Sequence, residues 1–152
     1  MYVKVTVRDP LELDVLGAGL GYTEGPVVGL DGTVHAVDLD QNRIWRLDGG
    51  EPVVAAVVDG CPNGMALVTP TTAIVANNGG FPWTDLGGAR HPIDIVNLTN
   101  EPPDFAGGWL EHVDLAGGAV TRLLDRGDAG TFRGPNDLVL DGAGGLWFTD
   151  TG

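Results

Sequence analysis

An all-β fold is predicted by three features of this 152-residue sequence: its turn-forming residues, its choice of acids and the spacing of its apolar residues. Gly (25) and Pro (10) together fall just under the level of low-complexity disorder, while 43% hydrophobic residues supply a core. Of the 21 acids, 16 are Asp. Asp and Gly favour turns over helices, so β-branched residues between them read as strands. Apolar residues alternate in short bursts bounded by Gly, Asp and Pro, which is the period of a strand. No window carries the helical period with caps at both ends, so no helix is predicted.

Taken in order, the strand signals begin with Val3, Val5 and Val7, then Leu11, Leu13 and Val15. Residues 1–16 are expected to form an N-terminal strand or hairpin. Three later segments share one plan: EGPVVGLDGTVHAVD from Glu24, CPNGMALVTPTTAIVAN from Cys61, and GPNDLVLDGAGGLWFTD from Gly134. Each has a Pro near its start, an apolar strand, a turn, and a second apolar strand ending in Asp or Asn. RIWRLDGGEPVVAAV from Arg43 and LEHVDLAGGAVTRLL from Leu110 read as strand, Gly-Gly turn, strand. Two strands followed by a hairpin make four antiparallel strands per repeat, which is the blade of a β-propeller. The first blade is expected over about 24–58. A second covers 63–124 with an insertion at 79–108 that lacks strand character, and a third begins at 136 and holds two strands by 152. The chain is thus expected to hold about two and a half blades, fewer than a closed propeller needs.

Composition also excludes function classes. The net charge is −13, and without a basic patch the chain cannot neutralise phosphates, so nucleic acid is not an expected partner. Cys61 is the only cysteine, which excludes an intrachain disulfide framework and a Cys-based metal site and suits a reduced, cytoplasmic setting. MYVKVTVRDP alternates and meets Pro10 before an apolar h-region forms, so it does not read as a signal peptide. No apolar run reaches transmembrane length, and no membrane association is expected.

LGYTEGPVV around Glu24, CPNGMAL around Asn63, ANNGGF over 76–81, GGWLEHVDLAGGAVTRL, and GPNDLVLDGAGGLWFTDTG follow one another along the chain. In that order and spacing they resemble the regucalcin/gluconolactonase family (also called senescence-marker-protein and luciferin-regenerating-enzyme-like), N-terminal half. The resemblance implies a six-bladed β-propeller that hydrolyses lactones, commonly sugar lactones, with one divalent cation at the top of the central channel. Calcium is the first expectation, with zinc, magnesium and manganese also accommodated. It further implies that Glu24 is the metal carboxylate. Asn136 corresponds to an asparagine that either ligates the metal or hydrogen-bonds the substrate, and both roles stay open. Asn63 is the same position in the second blade and either lines the channel or forms a structural turn. The family's second Asn and its catalytic Asp, ligand and general base in one, are expected beyond Gly152. Either the chain is the N-terminal portion of a longer enzyme, inactive alone, or a second copy completes the ring as a homodimer.

Other residues have simpler readings. Glu24 taken alone would be a solvated turn carboxylate, and Asn136 a turn former bonded to its own backbone. Both side chains start a blade's innermost strand, however, where oxygen donors from different blades converge and suit a hard cation. Such a cation polarises a carbonyl and acidifies a bound water. His35, His91 and His112 lack the spacing of a metal site and read as structural or surface residues. Trp45, Trp109, Trp147 and Phe148 are expected to pack between blades and under the insertion. Trp83 lies in the long insertion, a candidate lid and substrate contact. Asp38, Asp40 and Asp48 lack the Gly and terminal Glu of a calcium loop and read as turn residues. A competing expectation is a non-enzymatic calcium-binding or interaction module whose open edges pair with a partner. A strictosidine-synthase-like propeller is disfavoured by Glu24.

Overall fold

Alternating apolar residues between Gly and Asp turns leave each segment one face to bury, and antiparallel pairing with its neighbour is the shortest route to satisfying its backbone. The computed structural model describes residues 15–152. Among the described residues there is no helix, as the sequence predicts. The strand or hairpin expected over 1–16 lies outside the described residues, save for Val15 and Leu16, which are not in a strand.

The first sheet has the order β1 (Thr23–Val28), β2 (Val34–Asp38), β3 (Arg43–Leu47), β4 (Val53–Val57), every neighbour antiparallel. The second comprises β5 (Pro62–Thr69), β6 (Thr72–Asn77), β9 (Trp109–Asp114) and β10 (Val120–Leu124), in the order β10-β9-β6-β5. Between β6 and β9 a small hairpin forms from β7 (Thr84–Leu86) and β8 (Ala89–His91). The segment 79–108 is therefore not devoid of strand. Gly87 and Gly88 take φ of +62° and +88°, the left-handed pair that a two-residue hairpin turn requires. A second small hairpin, β11 (Arg126–Gly127) with β12 (Gly130–Thr131), precedes the third sheet, β13 (Pro135–Leu140) paired with β14 (Leu146–Asp150).

The sheets bury their apolar faces against one another. Val37, Ile44 and Ala56 of the first sheet share a core with Met65, Val75 and Val113 of the second. Ile74, Ala76 and Leu110, from the second sheet, pack with Phe132 and with Leu138 of the third. Each large aliphatic side chain buried this way contributes about 1.5–3 kcal/mol. The stack leaves β1, β5 and β13 adjacent, β1 against β5 and β5 against β13. Each is the edge strand at which its sheet begins. Repeated sheets whose first strands converge are consistent with a partial β-propeller.

One expectation fails on the far side of the third sheet. Phe148 is half-buried and meets Phe132 at 4.9 Å, but Trp147 is 74% exposed. Period two explains the difference, since neighbours in a strand face opposite sides and only one face of this sheet is covered.

Candidate functional site

The three first strands share a backbone irregularity at their starts. Pairing register shifts between Glu24 and Val27 in β1, between Pro62 and Gly64 in β5, and between Pro135 and Leu138 in β13. Pro lacks an N–H, so the ladder is interrupted where it enters and the strand bends. At these bends the strands come close. A Cβ on Gly25, which has φ +49°, would lie 2.7 Å from the Asn63 carbonyl oxygen. One on Gly64 would lie 2.6 Å from both the Asn136 carbonyl oxygen and the Asp137 Cα. Glu24, Asn63 and Asn136 thus occupy matching positions on three neighbouring strands. Glu24 is exposed, and the two asparagines are half-buried.

Behind each start stands a side chain from the end of the following strand. Asp38 accepts from Gly21 N at 2.9 Å, Asn77 Oδ1 from Cys61 N at 3.0 Å, and Asp150 Oδ1 from Gly134 N. This latch gives the repeated Asp or Asn its physical role: it ties the incoming backbone to the second strand. Asp38 and Asn77 are fully buried. Asp38 also accepts from Trp45 Nε1 at 2.9 Å and from the backbone of Asp40 and Gln41. In the second sheet the amide of Asn77 donates to Glu111 Oε1 at 3.1 Å, and Glu111 Oε2 accepts from Trp109 Nε1 at 2.7 Å. Burial pushes the Glu111 carboxyl above its usual range, against the two hydrogen bonds, which lower it.

Trp83 is half-buried, its ring 5.9 Å from that of Tyr22, 6.4 Å from Phe81 and 5.2 Å from the Arg90 guanidinium. Tyr22 directly precedes β1, so Trp83 approaches the strand start that bears Glu24. Arg90 pairs with Asp40, and this ion pair together with the Trp83 contact ties the β7–β8 hairpin to the first sheet. A cleft of about 370 Å3 opens beside them, lined by Tyr22, Asp40, Arg90 and His91. On the other side of the insertion Glu101 pairs with Arg133, just before β13.

The donors at the strand starts fit a hard cation in kind, since Glu24 offers a carboxylate and Asn136 an amide oxygen. Among the described residues no group of three or more His, Cys, Asp or Glu side chains is arranged to hold a metal ion. His35 is buried, whereas His91 is exposed and His112 half-buried. Cys61 is buried, its Sγ 3.3 Å from the Leu39 carbonyl oxygen, and burial pushes its thiol up to about 11. Burial thus favours the protonated thiol at neutral pH. Among the described residues no helix is long and apolar enough to cross a membrane.

Asn78, within the ANNGGF segment, follows Asn77 at the end of β6 and is 7% exposed. No protein-family profile matches the chain, and no curated protein matches it.

Proposed function

We propose that the chain supplies the first part of a divalent-cation-dependent hydrolase resembling gluconolactonase and regucalcin, which opens lactones, including sugar lactones, at the mouth formed by its converging strand starts. The observation that carries this reading is the matching position of Glu24, Asn63 and Asn136 at the bends where the neighbouring strands β1, β5 and β13 start. Glu24 would hold the cation through its carboxylate, and Asn136 through its amide oxygen unless that amide binds the substrate instead. Calcium is the preferred ion, and zinc, magnesium and manganese also suit the donors. When bound, such an ion polarises a carbonyl and acidifies a water. Asn63 lines the mouth, and Trp83 offers an aromatic wall to the ring of a substrate. The proton acceptor is assigned to no described residue. The unpaired, protonated thiol of Cys61 suits a reducing cytoplasmic setting.

Manganese titration of the isotopically labelled full chain tests the cation site. Paramagnetic broadening centred on the Glu24 and Asn136 amides, and its loss in Glu24→Gln, is the expected result. Broadening scattered over the exposed Asp residues and indifferent to Glu24→Gln would refute it. Lactone opening followed by pH-stat, with and without the ion, tests the chemistry.

A second reading, a non-enzymatic module that assembles with itself or a partner, is favoured by one observation: the far face of the third sheet presents Trp147 and Val139 at 74% and 60% exposure. Two copies completing a ring would double the 15.8 kDa mass of the chain in solution.

A further inference from the structure

His35 lies inside the stack, 5% exposed, yet its Nδ1 has no hydrogen-bond partner. The fold does not call for a polar side chain there. Asp38, Asn77 and Asp150 latch the three sheets at one repeated position, and three residues before them stand His35, Ile74 and Trp147. Ile74 fills that place in the second sheet and packs with Leu138 of the third. An apolar residue therefore meets the packing requirement, whereas a buried nitrogen without a partner costs stability. His35 also borders a cleft of about 370 Å3 between the first and second sheets, lined by Asp31, Thr33, Arg46, Asp48 and Thr71 as well. The corresponding space between the second and third sheets is apolar, lined by Val68, Ile74, Leu140 and Leu146. Polarity is thus particular to the first cleft and not a property of the stacked sheets. It lies at the opposite end of β1 and β2 from Glu24, since Val28 pairs with Val34 beside it and Glu24 pairs with Val37. Arg46 is the cross-strand partner of His35, its Nε 3.5 Å from Asp48 Oδ2. Thr33 N donates to Asp31 Oδ1 at 3.0 Å, which holds the β1–β2 turn at the edge of the cleft.

We infer that this cleft is a binding site for a neutral polyhydroxylated ligand, a polyol or a sugar, with His35 as a ligand-binding residue in its wall. Its volume lies in the range of small-molecule sites, about 300–1,000 Å3. The carboxylates of Asp31 and Asp48 repel an anion, and the Arg46 guanidinium repels a cation. A hydroxyl group suits both, because it donates to a carboxylate and accepts from a guanidinium. Thr33 and Thr71 add hydroxyls that do either. Burial, and then the Arg46 guanidinium, hold the His35 imidazole below its ordinary 6.5. At neutral pH the ring is therefore uncharged and carries one donor and one acceptor nitrogen. A half turn about Cβ–Cγ exchanges Nδ1 with Cδ2 and breaks no hydrogen bond of Nδ1, so the nitrogen that the fold leaves unpaired is free to turn to a ligand hydroxyl. The cleft shares no residue with the strand starts that bear Glu24, Asn63 and Asn136, and the inference stands apart from the proposed hydrolase.

The test uses the full chain, labelled with nitrogen-15, and methyl α-glucoside, a neutral sugar derivative with no lactone to open. The imidazole nitrogen signals of His35, assigned by their absence in His35→Gln, are expected to shift saturably with the glucoside while those of His91 stay still. Methyl α-glucuronide, the anionic counterpart, is expected to bind more weakly. His35→Ile and Thr71→Val are each expected to weaken glucoside binding about fivefold and to leave the manganese broadening at Glu24 unchanged. Thr71 is exposed, so Thr71→Val probes the cleft even if His35→Ile does not fold. His35 signals that do not move with the glucoside, a glucuronide that binds more tightly than the glucoside, or Thr71→Val binding as the wild type does, overturns the inference. The cation site stands or falls separately, on the response of the broadening to Glu24→Gln.

Discussion

At the scale of single residues, polar side chains held inside the sheets decide stability, and Asp38 is the clearest case. Its carboxyl is fully buried and accepts from the Trp45 indole and from three backbone N–H groups, of Gly21, Asp40 and Gln41. Asp38→Ala strands all four donors and should cost about 3–4 kcal/mol, read from urea unfolding. Asp38→Asn, which retains an acceptor oxygen as Asn77 does in the second sheet, should cost clearly less. Equal losses in the two variants would mean that the latch does not depend on its acceptor. His35 gives a pH dependence of stability. Burial first, and the Arg46 guanidinium second, hold its imidazole below the ordinary 6.5. The unfolded chain therefore takes up a proton below that value that the folded chain resists, so stability is intact above pH 6.5 and falls as pH drops beneath it. Between about pH 7 and 5, the wild-type melting temperature should decline while that of His35→Gln stays flatter. Parallel profiles would remove His35 as the cause.

At the scale of elements, the contact between first strands depends on missing side chains. A Cβ at Gly64 would meet backbone atoms of Asn136 and Asp137, and backbone cannot swing aside as a flexible side chain can. Gly64→Ala should therefore cost several kcal/mol, on the order of 3, and loosen the third sheet from the second. Hydrogen exchange should report this as faster exchange in β13 and β14 with β2 and β3 little changed. Gly144→Ala is the control: φ is +96° but nothing lies within 4 Å of its Cβ, so only the backbone penalty of about 1 kcal/mol applies. Most strands were legible in the sequence because alternation and Gly-Gly turns are local signals, as at Val34–Asp38 and in the hairpin around Gly117-Gly118. The β7–β8 hairpin was not read, although Gly87-Gly88 is a turn signal of the same kind, because strands of three residues are too short to show a period. Glu24, Asn63 and Asn136 could be picked out because each stands beside a Pro or Gly at a repeated position. The Asn77–Glu111 hydrogen bond could not, since it joins residues 34 apart in the chain.

At the scale of the whole molecule, each sheet covers a face of the next until the third, whose far face stays open. Trp147, Val139, Asp137 and Thr149 bound a shallow groove on it, with Trp147 74% exposed. An exposed indole beside an exposed valine is a large apolar surface on which association lowers the area in contact with water. The 13 units of net negative charge oppose that association, so it should strengthen as salt screens the charge over a Debye length of about 8 Å at physiological ionic strength. Sedimentation of the full chain should show concentration-dependent self-association that grows with salt. Trp147→Ser should abolish it without lowering the melting temperature, because the indole makes little of the core. Fluorescence supplies an internal check. Trp45 and Trp109 are buried at 8% and 7% exposure and Trp83 is half-buried, so the red edge of the emission belongs mainly to Trp147 and should move to the blue on association. A chain that stays monomeric at all concentrations and salt levels, with its red edge fixed, would rule out this face as a site of assembly between copies. The test bears on the interaction reading alone, since the cation experiment reads broadening at Glu24 and Asn136.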